Sequence, residues 1–259
     1  MLAVVRSVMF NVFFAVYAPL SVLAMSLALP LPRGVLMAMV RAWPRVSAPL
    51  LRGLVGISHE FRGQANIPLG PCIIAAKHQS AWDTMGFYLV IDDAAYVLKK
   101  ELLQIPFYGW CARKAGMIGV DRAGGSKALR SMVEEAQAFL DAGRPVLIFP
   151  EGTRTRPGHH RPYHPGVAAL YTRLNVPVVP VALNSGLYWG RRSFIKRSGR
   201  IVVEFLPPIP PGLDRKLFMR ELEQRIESAS ERLNAEALRE FPHLPPLDDA
   251  VPAKAIEGA

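Results

Sequence analysis

The chain has 259 residues, which is enough for one sizeable domain or two small ones. Hydrophobic residues make up 51% of it and charged residues 20%, so the chain can bury a core, and intrinsic disorder is excluded as its main state. The formal net charge of +10 favours anionic partners: phosphorylated substrates, acidic lipid headgroups or nucleic acid. The two cysteines, Cys72 and Cys111, are too few for a disulfide-rich secreted scaffold, and their apolar surroundings predict reduced core residues.

The N-terminal segment 7–32 carries no charged residue and is bracketed by Arg6 and Arg33. A membrane-spanning helix needs about 20 apolar residues, so this segment is long enough to cross a bilayer. Pro19, near its middle, predicts a kink or a split into two short re-entrant pieces. The interpretation favoured here is a retained membrane segment, with a buried core helix and a cleaved signal peptide as alternatives.

The next segment, residues 34–58, carries three arginines and no acidic residue. Its apolar residues recur at helical spacing and include Trp43, a pattern typical of a helix that lies in the bilayer interface. A core helix with solvated arginines is the alternative. The arginines beside the first segment predict that the rest of the chain faces the cytoplasm. Residues 1–57 are therefore predicted to form a hydrophobic and interfacial helical membrane anchor.

Residues 58–240 alternate short apolar segments with helical ones, which predicts an α/β domain with a mixed, mostly parallel sheet flanked by helices. The proline-rich residues 241–259 are predicted to be a disordered tail. Strands are predicted at 59–62, 72–77, 95–98, 117–120, 145–149, 178–183 and 201–205, and helices at 82–90, 126–142, 167–174 and 214–239.

His78 and Asp83 follow the apolar strand predicted at 72–77. The carboxyl end of such a strand is where open α/β sheets place their sites. A step of five residues does not place two side chains on one face of a helix. A turn between His78 and Asp83 lets the carboxylate fold back to the imidazole, and the other ring nitrogen can then accept a proton from a hydroxyl. The alternative is a capping box, in which Ser80 and Asp83 only begin a helix.

The segment FPEGTR, residues 149–154, ends another apolar strand in a turn that contains glycine. Arg154 beside Gly152 is suited to binding a phosphate, and Glu151 to orienting that arginine or the acceptor hydroxyls. An ordinary β-turn with an exposed salt bridge is the alternative. Arg122, at the end of a third strand, is a weaker second phosphate ligand. Together these strand ends predict a basic cleft with one general base, which suits a hydroxyl nucleophile on a phosphate-bearing acceptor.

Other functional classes fit the sequence less well. A hydrolase nucleophile motif Gly-x-Ser-x-Gly is not present, and the aromatic residues do not interleave with a basic stripe as in nucleic-acid binding. His159, His160 and His164 lie in a loop of prolines and glycines, where a solvated loop is favoured over a metal site. The rival from another class is a non-catalytic basic adaptor that binds membranes.

Four segments in this order resemble the glycerolipid acyltransferase family, in particular its bacterial 1-acyl-sn-glycerol-3-phosphate acyltransferases. The family's HxxxxD block is similar to residues 78–83, and its FPEGTR block matches residues 149–154 letter for letter. Its second and fourth blocks resemble residues 116–122 and 176–183. One departure is visible, because residues 163–166 read YHPG where relatives often have Phe-Lys-x-Gly.

The resemblance implies transfer of a fatty acyl group from acyl-CoA or acyl-carrier protein to the free hydroxyl of lysophosphatidic acid. Another lysolipid, such as a lyso-ornithine lipid, is the alternative acceptor. The resemblance further implies no metal or prosthetic group and no nucleic acid partner. It also implies an enzyme of the bacterial inner membrane whose catalytic domain faces the cytoplasm. By resemblance the catalytic base is His78 with Asp83 as its orienter, and the substrate-binding residues are Arg122, Glu151, Gly152, Thr153 and Arg154.

Overall fold

The computed structural model describes residues 2–247, and two long helices open the chain. Helix α1 (Leu2–Ser26) continues through Pro19, so the predicted split does not occur; a proline inside a helix removes a single backbone donor. Helix α2 (Arg33–Val55) carries two prolines and ends at Gly56, which has a positive φ of 73°. The two helices pack against each other and against the domain that follows.

The rest of the chain forms a seven-stranded sheet with the order β1-β7-β6-β2-β5-β3-β4. All neighbouring strands are parallel except β6 and β7, so β1 and β7 run opposite to the other five. This confirms the predicted mixed, mostly parallel sheet. The strands are β1 (Ile57–Arg62), β2 (Ile73–Ala76), β3 (Ala95–Lys99), β4 (Ile118–Val120), β5 (Val146–Ile148), β6 (Val178–Leu183) and β7 (Gly199–Phe205).

Helices cover both faces of the sheet because side chains alternate along each strand. On β2, Ile74 packs with α1 and α2, whereas Ile73 packs on the other side with the helices of the second half of the chain. Both cysteines are free and buried, as predicted. The remaining helices are α3 (Asp83–Gly86), α4 (Tyr108–Ala115), α5 (Gly125–Asp141), α6 (Pro165–Leu174) and α7 (Arg215–Glu240).

Three segments differ from the sequence predictions. Residues 82–90 form only the short helix α3 and a 3₁₀ turn (Phe87–Leu89), and helix α4 was not predicted. Residues 241–247, predicted as part of a disordered tail, pack on the domain, since Leu244 is buried against the apolar cluster that contains α1 and α2. Residues 248–259 lie outside the described part of the chain.

The reversed direction of β1 and β7 brings the N-terminal helices to the functional edge of the sheet. The five parallel strands β6, β2, β5, β3 and β4 end at one edge, and β1 and β7 begin at that edge. Helix α2 leads directly into β1, so the N-terminal helices join the sheet at the edge where the polar segments after β2, β4 and β5 lie.

Candidate active site

His78 and Asp83 lie together at the carboxyl end of β2. The Asp83 carboxylate is fully buried, and its Oδ2 lies 2.9 Å from Nδ1 of His78. A carboxylate only accepts hydrogen bonds, so Nδ1 carries a proton, and in the neutral imidazole Nε2 presents its lone pair. The structure thus brings the pair together by the turn that the sequence predicted.

Backbone donors fix the Asp83 carboxylate in this position. The amides of Gln79 and Ser80 donate to Oδ2 at 2.7 and 2.8 Å. The bond from the Ser80 amide to the Asp83 carboxylate is one half of the capping box that was the alternative interpretation. The other half is not formed, because the Ser80 hydroxyl accepts from the amide of Trp82 at 3.1 Å and not from that of Asp83. One carboxylate therefore begins helix α3 and orients the imidazole.

Ser185, in the turn after β6, also contacts the carboxylate, and sequence reasoning missed it. Its hydroxyl donates to Oδ1 of Asp83 at 2.5 Å, and the amide of Gly186 donates to Oε1 of Gln79 at 3.0 Å. Both Ser185 and Gln79 are buried. The segment after β6 thus closes over the carboxylate and satisfies its second oxygen.

The His78 imidazole lies against an aromatic ring and keeps one open side. It stacks on Phe149 with ring centroids 4.1 Å apart and an interplanar angle of 20°. The side chain keeps 11% of its surface exposed, and within residues 2–247 its Nε2 makes no hydrogen bond. Nε2 is therefore available to a substrate hydroxyl.

Glu151 occupies a different place from the one predicted. Its side chain is completely buried, contacts the ammonium group of Lys77, and accepts the backbone amide of His78 at 3.3 Å. Burial raises the pKa of Glu151 to about 7, and the Lys77 charge opposes that rise. Within residues 2–247 the carboxylate makes no hydrogen bond or ion pair with Arg154; it compensates the charge of a lysine that follows a short apolar strand into the interior.

A second carboxylate completes the environment of Lys77. The ammonium group lies 2.7 Å from both carboxylate oxygens of Glu227 on helix α7. The hydroxyl of Tyr163 donates to the same carboxylate at 2.8 Å, and His160 contacts it at 3.1 Å. This buried network joins helix α7 to the strand ends that carry His78 and Glu151.

Arg122 and Gly152 are in direct contact. The guanidinium of Arg122 donates to the backbone carbonyl of Gly152, whose φ is +66°. A Cβ at that glycine would lie 2.6 Å from the His164 ring and 3.2 Å from Cζ of Arg122, so only glycine admits both side chains. Partial burial lowers the pKa of Arg122 and that of His164.

Arg154 lies on the His78 side of the same turn. The amide of Thr155, the next residue, donates to the carbonyl of His78 at 2.8 Å. Burial lowers the pKa of Arg154, and the negative charge of Asp83 opposes that shift. No carboxylate within residues 2–247 pairs with the Arg154 guanidinium. Thr153 is half-buried in the turn beside it.

A cavity of about 180 Å³ lies on the Arg122 side of the site. Its lining includes Arg122 and also Phe149, the ring on which His78 stacks. Apolar side chains from β3, β4 and α5 form about half of the remaining wall. The arrangement places a proton acceptor, cationic donors and a hydrocarbon-lined space beside each other. Among the described residues, no group of three or more His, Cys, Asp or Glu side chains is arranged to hold a metal ion.

Comparison with known proteins identifies the family. Residues 58–184 match the family model described as Acyltransferase. A protein of Pseudomonas aeruginosa named 1-acyl-sn-glycerol-3-phosphate acyltransferase is 37% identical over 189 residues, which cover 73% of this chain and 74% of that protein. The chain belongs to the acyltransferase family. The matched region contains the His78–Asp83 pair and the whole FPEGTR turn.

More distant relatives are also acyltransferases by name, and one of them has a solved structure. The bovine 1-acyl-sn-glycerol-3-phosphate acyltransferase alpha is 33% identical over 62% of this chain, and the match covers 57% of that protein. The crystal structure of the 1-acyl-sn-glycerophosphate (LPA) acyltransferase PlsC of Thermotoga maritima superposes with a TM-score of 0.68 over 90% of this chain and 95% of that one, at 22% identity. The fold is therefore shared with a solved acyltransferase.

Proposed function

We propose that this acyltransferase moves a fatty acyl group from acyl-CoA or acyl-carrier protein to the free hydroxyl of 1-acyl-sn-glycerol-3-phosphate, giving phosphatidic acid for phospholipid biosynthesis. The observation that carries the proposal is the His78–Asp83 pair beside two guanidinium groups, those of Arg122 and Arg154, that lack carboxylate partners within residues 2–247. Such groups bind phosphate bidentately. The names of the Pseudomonas and bovine relatives support this acceptor.

In the proposed reaction the acceptor hydroxyl oxygen attacks the thioester carbonyl carbon while its proton passes to Nε2 of His78. Collapse of the tetrahedral intermediate breaks the carbon–sulfur bond, and the imidazolium returns the proton to the departing thiolate. Asp83 stabilises the imidazolium through the Nδ1 hydrogen bond. The thioester is already activated and the proton stays on His78 between the two steps, so we propose no metal or prosthetic group.

Helix α1 supports a location at the bilayer surface. It is long and apolar enough to cross a membrane by length and composition. Its exposed apolar residues recur three or four positions apart, which places them on one face of the helix. The row is Leu2, Val5, Met9, Val12, Val16, Leu20 and Leu23, and Val4 and Val8 lie beside it.

The opposite face of α1 follows the domain along most of the helix. Ser7 accepts the amide of Lys196 at 2.9 Å, Phe10 packs edge-on against Trp189, and Ser26 lies 3.6 Å from Cys111. A helix that crossed the bilayer would carry this domain surface into hydrocarbon, where its polar groups would lose their hydration. We therefore propose that α1 lies flat in one leaflet of the bacterial inner membrane. The catalytic domain faces the cytoplasm, in keeping with the N-terminal arginines.

The test is an acyl-transfer assay with the purified full-length chain in detergent, over several lysolipids and both donor types. We expect turnover of lysophosphatidate. The His78→Ala variant should lose about 10²–10⁴-fold in kcat while still binding vesicles. The control is His243→Ala, which removes an exposed imidazole that contacts Ser198 and no site residue. Near-normal turnover by H78A would reject the role of the base, and wild-type turnover of lyso-ornithine lipid alone would reject the acceptor.

A further inference from the structure

An exposed apolar surface lies outside the N-terminal helices, on the connection between β3 and α4 and on the first turn of α4. We call it the 102–110 segment. Five large side chains within these nine residues are exposed, although the segment belongs to an otherwise well-packed domain. They are Leu102, Ile105, Phe107, Tyr108 and Trp110.

The 102–110 segment is held in one conformation by its backbone. The amide of Tyr108 donates to the carbonyl of Pro106 at 2.7 Å, which closes a γ-turn around Phe107 at a φ of 63°. This positive-φ turn is rare and strained for a residue with a side chain. Gly109 contacts the backbone of Leu103 so closely that a Cβ would stand 2.0 Å from its carbonyl oxygen. This backbone conformation leaves the Phe107 side chain exposed.

Two aromatic rings form the tip of the segment. Phe107 and Trp110 meet edge to face with centroids 5.0 Å apart. Basic residues flank the segment on both sides: Lys99 and Lys100 before it, Arg113 after it. Rigid aromatic side chains bordered by basic residues are typical of surfaces that enter the headgroup region of an anionic membrane.

The segment lies beside the C-terminal end of helix α1. Cys111, the residue after Trp110, contacts Ser26 near the end of α1. Lys114 on helix α4 donates to the carbonyl of Leu29 at 2.6 Å. At its other side the segment reaches the site, since Leu103 lies against Gly119 of the strand that leads to Arg122.

We propose that the 102–110 segment is a second membrane-contacting element, which inserts Phe107 and Trp110 into the headgroup region of a bilayer that contains anionic lipid. Helix α1 supplies the anchor, and the 102–110 segment fixes the tilt of the domain, so that the Arg122 side of the cleft faces the lipid surface. The inference rests on the proposed function only where it concerns turnover of a lipid acceptor.

The test of insertion uses the full-length chain reconstituted in vesicles of phosphatidylcholine and phosphatidylglycerol. The emission of Trp110 is obtained by subtracting the fluorescence spectrum of the Trp110→Phe variant from that of the wild type. Lipids brominated near the headgroup end of the acyl chain should quench this emission more strongly than lipids brominated near its methyl end, and aqueous iodide should quench it weakly. Emission that iodide quenches and brominated lipid does not would overturn the proposal.

The matched control is Leu69→Trp on the W110F background. Leu69 is fully exposed in the loop that leads into β2, at the opposite edge of the sheet. A tryptophan there should respond to iodide and not to brominated lipid. If Trp110 escapes both quenchers and the protein sediments as a dimer, a second copy covers the segment and the proposal fails.

A kinetic measurement separates this inference from the proposed function. The Phe107→Asn, Trp110→Gln double variant removes two exposed rings, and asparagine tolerates positive φ, so we expect the fold to persist. Its apparent KM for lysophosphatidate in vesicles should rise about tenfold, with wild-type turnover of the same acceptor dispersed in detergent. Equal KM values in vesicles would overturn the inference. A wild-type protein without turnover would overturn the proposed function and leave the quenching result intact.

Discussion

Replacing Lys77 by methionine tests whether the buried charge network supports the site. The ammonium group of Lys77 lies between Glu151 and Glu227, and all three side chains are at least nine-tenths buried. Methionine keeps the apolar stem and removes the charge, which leaves two carboxylates buried near each other without a cation. Breaking a buried ion pair in this way costs about 3–5 kcal/mol, a large part of the stability of an ordinary domain.

The size of the loss depends on pH, with a sign that follows from the pKa of Glu151. Burial raises that pKa to about 7 from an ordinary value of 4.5, so the folded state holds a proton that the unfolded state releases between these values. Stability therefore falls as pH rises through this window. Because Lys77 opposes the rise, its removal moves the window upward, and K77M should lose more stability near pH 8 than near pH 5.5.

The assay is denaturant unfolding of the full chain in detergent, followed by tryptophan fluorescence at both pH values. Lys127→Met is the control, because Lys127 is exposed and forms no ion pair within residues 2–247; its stability should stay within about 0.5 kcal/mol of wild type. Adding Glu151→Gln to K77M should recover part of the loss, since it removes one stranded carboxylate. A K77M loss below about 1 kcal/mol, or one that is the same at both pH values, would refute the reasoning.

Three further variants test the site. Ser185→Ala leaves Oδ1 of Asp83 without its donor, so kcat should fall about tenfold at constant KM; an unchanged kcat would contradict a positioning role. Arg154→Ala should raise the acceptor KM about 10–100-fold with little change in stability, and an unchanged KM would exclude phosphate contact. Gly152→Ala places a Cβ 3.2 Å from Cζ of Arg122 at positive φ, so the acceptor KM should rise. The free energy that corresponds to this rise should exceed the loss in the free energy of unfolding, as kinetics and thermal unfolding measured side by side would show.

The strands could be predicted from sequence because each is a short apolar segment closed by glycine, proline or charge, and their polar ends follow directly in the chain. The same locality made the His78–Asp83 contact predictable. Helix α4 has no such signal: Gly109 and the aromatic residues around it lower its helix propensity, and contacts with α1 and α2 stabilise it.

The contacts that sequence reasoning missed join residues far apart in the chain. Ser185 lies 102 positions after Asp83, and Glu227 lies 150 positions after Lys77. No local pattern marks a single serine or glutamate as a partner. Glu151 was predicted to orient Arg154 or the acceptor hydroxyls for the same reason, because its partner Lys77 lies outside the FPEGTR segment and its buried contact is visible only in the structure.

The direction of the strands explains how the proposed function would bring a lipid acceptor to the His78 base. Since β1 and β7 begin where the parallel strands end, helix α2 and the segment before β7 both meet the site edge. That second segment carries Lys196, whose ammonium group donates to Asn11 of α1 at 2.9 Å. Helix α1 is thereby fixed to the edge that carries His78. A domain with seven parallel strands would bring α2 to the opposite edge of the sheet, and a lysolipid at the bilayer surface would be a full strand length away from the base.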